Sequence, residues 1–324
     1  MGGLLPAEAG VPIGPRNAGF SRQQATGVFK AGDLDCIVHA AVVERLSTEE
    51  IRQAVQLALS EDIGTGDVTT QATVPEDAMA RARMRAREQL VVAGLDLAEA
   101  AFRELSPNMQ FNREAKDGQT VEAGQTLLKI SGPARALLSA ERVALNFAQR
   151  LSGIATLTAQ FVAATRGTNA QILDTRKTTP GWRRLEKYAV TCGGGRNHRF
   201  GLFDMVLIKD NHLAALADAN AIAAAVERTR ARWPGLKVEV EADTLEQVDQ
   251  AVAAGADIVL LDNMSLEQVK LAVERCKGRA QTEASGGISL TTVQAVARTG
   301  VDFISAGALT HSARAVDIGL DFEG

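Results

Sequence analysis

Cysteine is scarce in this chain. The three present, Cys36, Cys192 and Cys276, are odd in number and far apart, and no C-x-x-C pair marks a redox centre or a structural zinc site. They read as reduced thiols, which predicts a cytoplasmic protein. Long apolar runs are missing too: none reaches the roughly 20 residues that a bilayer-crossing helix needs. The opening stretch, "MGGLLPAEAGVPIGPRNAGFSRQQATGVFKAGD", lacks a compact apolar block between a basic start and a small-residue cleavage site. Residues 1–40 read instead as a loosely ordered extension. Nor is there a basic excess. A formal net charge of −4 argues against nucleic acid or an anionic membrane as partner, because either calls for positive charge over a whole face. Any basic patch must be local.

What is present is the composition of an ordinary globular protein, 46% hydrophobic and 23% charged over 324 residues, enough for two domains. Ser47 and Glu50 in "STEE" form a capping-box pattern, behind which Ile51, Ala54, Val55, Ala58 and Leu59 repeat on one helical face. The segment "EDIGTGDVTT" then predicts an ordered loop. From Ala80 to Ile130, short strand-like pieces, a helix through Leu97–Leu105 and punctuating glycines suggest a small α+β domain. A long helical pattern from Leu137 to Arg166 closes at Gly167. Beyond it, "QILDTRK", "DMVLIKDNH", "KVEVEAD", "ADIVLLDN", "TEASGG" and "VDFISAG" are short apolar runs that end in polar residues or glycine. The last four start roughly 20 residues apart, the spacing of βα units whose parallel strands close into a barrel. The fold class is therefore α/β. Alternation in "KVEVEAD" sets Val238 and Val240 on one side and Glu239 and Glu241 on the other, so one side of that strand meets water, a ligand or partner charges.

In parallel barrels the reactive groups gather at the C-terminal ends of the strands. There the sequence offers Arg176 and Lys177, then Lys209, Glu241, Asp262, Ser285 with Gly286 and Gly287, and Gly307. Between Asp174 and His212 eight basic residues stand against four acidic ones, an excess of +4 in a chain of net −4. Arginine suits bidentate capture of carboxylate or phosphate and lysine supplies a point charge, so the cluster implies a ligand with more than one anionic group. Arg183, Arg184 and Lys187 fit the solvated face of a helix, whereas Arg176, Lys177, Arg199 and Lys209 abut apolar runs or the glycine-rich loop. "CGGGRNHR" lacks the G-K-[ST] ending of a P-loop and does not fit G-x-G-x-x-G. Its His198 reads as an anion contact, a tuned hydrogen-bonding group or a satisfied structural histidine. Glycines in "EASGGIS" and "ISAGALT" fit a backbone cradle for phosphate between the last two barrel loops. Glu241 and Asp262, opposite in sign to the cation cluster, suit Mg²⁺, hydroxyl recognition, a developing positive charge, or structural salt bridges to nearby lysines.

In this order, "EDIGTGDVTT", "ERVALNFAQRLSGIAT", "DTRKTTPG", "KYAVTCGGGRNHR", "LIKDNH", "VEVEAD", "LLDN" and "EASGGI" resemble the quinolinate phosphoribosyltransferases, the decarboxylating nicotinate-nucleotide pyrophosphorylases. The resemblance runs from about Leu46 to the C-terminus. It implies an N-terminal α/β sandwich domain (residues 41–148 with 308–324) and an incomplete TIM-like barrel (residues 149–307), paired as a homodimer with shared active sites. The implied reaction joins quinolinate and phosphoribosyl pyrophosphate, with Mg²⁺, into nicotinate mononucleotide, pyrophosphate and CO₂. Carried over by motif, Arg176, His198, Arg199 and Lys209 hold the quinolinate carboxylates, and Lys177 sits between the two substrates. Arg142 reaches the neighbouring subunit's site, Glu241 and Asp262 face the ribose and metal, and Ser285, Gly286, Gly287 and Gly307 receive the 5′-phosphate. Trp182 and Arg196 depart from the motif, each larger or more polar than the pattern leads one to expect. A nicotinate-specific relative, or the accessory protein of molybdate uptake that shares this fold, has no use for the second set of carboxylate contacts. A non-catalytic anion sensor has no use for Glu241 and Asp262.

Overall fold

The computed structural model of the chain describes residues 45–216 and 218–323, so the expected N-terminal extension lies outside the described residues. Two helices come first, α1 (Thr48–Ile63) and α2 (Val68–Thr73). The capping box forms as its spacing predicts: Ser47 Oγ accepts the Glu50 amide at 3.2 Å and the Glu50 carboxylate accepts the Ser47 amide at 2.7 Å. "EDIGTGDVTT" is less of a loop than expected. Helix α1 runs through Ile63, and Asp67 caps α2 by accepting the Thr70 amide at 2.9 Å.

The chain then forms β1 (Met79–Ala86), β2 (Leu90–Val91), α3 (Leu95–Leu105), β3 (Gln110–Arg113), β4 (Thr120–Val121) and β5 (Thr126–Pro133), followed by the 31-residue helix α4 (Ala134–Ala164). The βα series comprises β6 (Gln171–Leu173), α5 (Arg183–Cys192), β7 (Val206–Ile208), α6 (Asp210–Leu216), α7 (Ala221–Arg232), β8 (Val238–Ala242) and α8 (Leu245–Ala253). It continues as β9 (Ile258–Asp262), α9 (Leu266–Cys276), β10 (Gln281–Ser285), α10 (Val293–Ala297), β11 (Phe303–Ser305) and α11 (Ala308–His311), and β12 (Ile318–Glu323) ends the chain.

The N-terminal elements build an antiparallel sheet in the order β12-β1-β5-β3 and a separate β2-β4 pair. Strand β1 shows why one face is covered: Ala82, Met84 and Ala86 are buried, while the arginines between them pair with Asp321 and Glu323 on β12. The final strand of the chain thus belongs to the first sheet. The βα series forms one parallel sheet in the order β6-β11-β10-β9-β8-β7. Successive strands from β7 to β11 are neighbours and β6 joins β11, as in a barrel, but β6 and β7 do not pair and leave a seam. At that seam Arg196 donates its amide to Ile172 O at 2.8 Å, and Asp174 donates its own to Arg196 O at 3.1 Å. The glycine-rich segment therefore covers the open edge of β6.

Helix α4 packs on both layers, against α3 on one side and α5 and β6 on the other. A close crossing fixes it to the chain's last segment: a Cβ on Gly153 would lie 1.9 Å from the carbonyl oxygen of Arg314. Gly153→Ala is expected to destabilise the protein by about 1–3 kcal/mol through overpacking against rigid backbone. Urea unfolding would measure this, and an unchanged midpoint would contradict the crossing.

Candidate active site

The C-terminal ends of the strands open into a cleft of about 640 Å³. Its wall brings together Arg176, Lys177, His198, Arg199, Lys209, Glu241, Asp262, Ser285, Gly286 and Gly287. Gly307 sits directly behind Lys177, where a Cβ would come within 2.9 Å of the lysine Cδ. Arg142 is not part of this wall; it lies exposed on α4.

Buried polar groups set the cation-bearing loops. Asp174, at the end of β6 and 0% exposed, accepts the Lys187 ammonium, the His198 amide at 2.8 Å and the Asn197 side chain at 2.7 Å. Lys187 also donates to His198 O at 3.0 Å. Burial pushes the Asp174 carboxyl up and the Lys187 ammonium down from their ordinary values, and the charge of each on the other opposes that drift. The expectation that Lys187 faces solvent is thus wrong. Helix α5 turns it inward onto the Asp174 carboxylate. Arg183 is not simply solvated either, since it donates to Thr178 Oγ1 at 3.1 Å and Phe200 O at 3.2 Å and so joins two loops. Arg184 pairs with Glu50 of α1 at 2.7 Å.

A second buried set holds Lys177. Glu186 accepts the Thr179 amide at 3.1 Å, the Thr179 hydroxyl at 2.9 Å and Arg150 of α4 at 2.9 Å. Arg150 reaches on to the carbonyls of Thr310 and Ala313, and Thr310 Oγ1 donates to Lys177 O at 2.7 Å. Neither Glu186 nor Arg150 stands out in the sequence, because their partners come from distant elements.

The cleft floor is acidic. Glu239 and Glu283, 0% and 1% exposed, lie 2.9 Å and 3.3 Å from His198 Nε2. Desolvation would lower the His198 pKa, but the carboxyl groups of Glu239 and then Glu283 push it up to about 10. Burial and then the like charge of Glu283 push the Glu239 carboxyl above its ordinary value, and His198 opposes that rise. Strand alternation sets Glu239 on the side that meets water, a ligand or partner charges, and "TEASGG" contains Glu283, yet neither stands out as a site residue in the sequence. The missed signal is a glutamate inside a strand of a parallel sheet, where positions on both faces are buried. Ligand atoms of these three residues lie within 4.8 Å of one another, the one such group among the described residues. A tetrahedral ion would space them about 3.3 Å apart, so the 2.9 Å contact is that of a shared proton.

Cations crowd the opposite wall. Burial and then the neighbouring charge of Arg176 lower the Arg199 pKa, and Arg176 Nε is buried without a partner. An anion placed there would relieve both. Lys209 pairs with Glu241, and Asp262 accepts from Asn263 at 2.8 Å. Beside them the chain turns through Gly286 at φ 93°, where a Cβ would fall 2.1 Å from Asn263 Oδ1. Only glycine fits this approach. Of the two departures from the motif, Trp182 stacks on Phe147 of α4 with ring centroids 5.2 Å apart, and Arg196 serves the β6 edge through its backbone.

Family models described as the N-terminal and C-terminal domains of quinolinate phosphoribosyl transferase match residues 67–152 and 154–321. The chain belongs to this family. It is 47% identical to the nicotinate-nucleotide pyrophosphorylase [carboxylating] of Mycobacterium leprae over 83% of this chain and 96% of that protein. A probable nicotinate-nucleotide pyrophosphorylase [carboxylating] of Bacillus subtilis is 44% identical, over 81% of this chain and 89% of that one. The solved nicotinate-nucleotide pyrophosphorylase of Francisella tularensis superposes with a TM-score of 0.82 at 41% identity, over 87% of this chain and 99% of that structure. Membership in the family agrees with the α/β fold and with a cleft built for anions.

Lys187→Met, which leaves Asp174 buried without its cation, is expected to cost about 3–5 kcal/mol of stability. Removing an exposed charge, as in Arg142→Ala, should change it by no more than about 0.5 kcal/mol. Equal urea midpoints for the two variants would sink the structural role given to the Asp174–Lys187 pair.

Proposed function

We propose that this chain transfers the phosphoribosyl group of phosphoribosyl pyrophosphate to quinolinate, with decarboxylation, giving nicotinate mononucleotide, pyrophosphate and CO₂. The observation that carries the reading is one cleft lined both by Arg176, Lys177, His198, Arg199 and Lys209 and by Glu241, Asp262, Ser285, Gly286 and Gly287. In this reading Arg176, His198, Arg199 and Lys209 hold the two carboxylates of quinolinate, and Lys177 lies between it and the leaving pyrophosphate. Ser285, Gly286, Gly287 and Gly307 receive the 5′-phosphate.

The residue types suit the chemistry. As the bond from the anomeric carbon to pyrophosphate breaks, positive charge grows on the sugar, and the carboxylates of Glu241 and Asp262 stabilise it while Lys177 neutralises the departing oxygens. The pyridine nitrogen forms the new bond and becomes cationic. The adjacent carboxylate then leaves as CO₂, its bonding electrons remain on the ring carbon beside that charge, and a proton completes the product. Holding the substrates in line supplies much of the acceleration. Glu241 and Asp262 are hard oxygen donors at the ends of neighbouring strands β8 and β9, a set that fits Mg²⁺ shared with substrate phosphates. When bound, Mg²⁺ would neutralise pyrophosphate charge.

The homodimer belongs to the same proposal. Arg142 is exposed outside its own chain's cleft, and Leu202 and Phe203, 74% and 73% exposed, follow the site residue Arg199 closely in sequence. A second copy would cover these apolar side chains and receive Arg142 in its site. For location, no helix among the described residues is long and apolar enough to cross a membrane, and Cys192 and Cys276 are free and buried. Both features agree with a cytoplasmic enzyme.

Incubation with phosphoribosyl pyrophosphate, Mg²⁺ and either quinolinate or nicotinate should yield nicotinate mononucleotide and CO₂ from quinolinate, as read by mass spectrometry. Turnover of nicotinate alone would overturn the dicarboxylate assignment. Arg142→Ala and Lys177→Ala should each be inactive. Mixed and allowed to exchange subunits, they should recover about a quarter of wild-type activity, because half the dimers then carry one intact site of two. No recovery after verified exchange would refute the shared site.

A further inference from the structure

The barrel interior holds two carboxylates to which the reaction above gives no part. Glu239 on β8 and Glu283 on β10 stand two strands apart, both buried, and both turn onto the same nitrogen of His198, Nε2. Glu239 Oε1 has no hydrogen-bond partner, and Glu283 Oε2 has only the 3.3 Å contact to His198. Buried carboxylates so poorly satisfied are rare and costly, and they are tolerable only beside a positive charge. The backbone of His198 is pinned independently, its amide by Asp174 and its carbonyl by Lys187, which fixes the point from which the ring reaches the pair. The other charged groups that line the cleft with His198 are the cations Arg176, Lys177, Arg199 and Lys209 and the carboxylates Glu241 and Asp262.

We propose that Glu239 and Glu283 are positioning residues of the quinolinate site: by engaging His198 Nε2 from inside the barrel, they hold the ring as an imidazolium that has only Nδ1 left to donate to a substrate carboxylate. This rests on the assignment of His198 to quinolinate. The logic is one of proton counting. A neutral imidazole carries one N–H, and with that proton given to Glu239 its Nδ1 is a lone-pair acceptor that repels a carboxylate. A donor at Nδ1 needs the second proton, and the buried carboxyl oxygens that face Nε2 at 2.9 Å and 3.3 Å are the acceptors that retain it against the cations opposite. The raised His198 pKa agrees with this geometry. Since its folded value lies above the unfolded one of about 6.5, quinolinate binding through Nδ1 should persist through neutral pH and weaken as pH rises toward about 10.

The test uses the full chain with ¹⁵N-histidine, the His198 signal being identified by its loss in His198→Asn. In the wild type His198 should remain doubly protonated at pH 8, and in Glu239→Gln and Glu283→Gln its titration should move to lower pH. In the same variants the quinolinate KM should rise about tenfold or more, the size of a lost hydrogen bond to a charged group. The KM for phosphoribosyl pyrophosphate should stay within about twofold, a split that general loss of structure would not produce. Wild-type His198 titrating at or below about 6.5, or an unchanged quinolinate KM in folded variants, overturns the proposal. If neither variant folds, the wild-type titration alone decides it. A wild type that turns over no quinolinate sinks the functional reading instead, while the titration still judges the hold of the carboxylates on His198.

Discussion

A buried ion pair, Asp174 with Lys187, holds together the part of this protein on which its chemistry depends. Such a pair is expensive to desolvate and gives little net stability when set against apolar packing. Its contribution here is geometric. Asp174 is the point where β6 leaves the barrel and the glycine-rich segment returns to it, and its oxygens accept from Lys187, His198 and Asn197. One carboxylate therefore holds in place the segment that covers the β6 edge and fixes the backbone of a cleft histidine. The low-dielectric surroundings that make the pair costly also make it directional.

From that anchor the site divides by charge. Cations line the outer cleft, where the two arginines of the wall repel each other and Arg176 Nε waits without a partner. Acids line the floor, with His198 between the two signs. Unfavourable interactions of this kind are relieved by an anionic ligand, so binding energy is prepared in the fold itself. Helix α4 contributes through Arg150, which ties Glu186 to Thr310 and thereby fixes the Lys177 loop from two directions. The long helix shared by both layers is thus a structural link to the site as well as core.

Much of the fold was legible because it follows from periodicity. The six apolar runs became β6 to β11, and the capping box at Ser47 started α1. The cleft residues were legible for a related reason: barrel topology places whatever follows each strand on one face, so position in the chain predicts position in the site. Lys187, Glu186 and Arg150 were not legible. Their meaning comes from partners 13, 36 and 160 residues away or at similar remove, and a lysine on an amphipathic helix looks the same whether or not a buried aspartate waits opposite.

The sequence by itself determined the α/β class, the family, the order of the βα units and which charged side chains crowd the strand ends, since all of these are local pattern and composition. Only the tertiary structure decided that β6 and β7 leave a seam, that Glu239 and Glu283 meet at one nitrogen of His198, and that Lys187 is buried. The reason is physical. Strand alternation specifies which side of a strand a residue takes, but the closure of the barrel brings side chains from different strands within hydrogen-bond reach, and that closure is a property of the whole sheet.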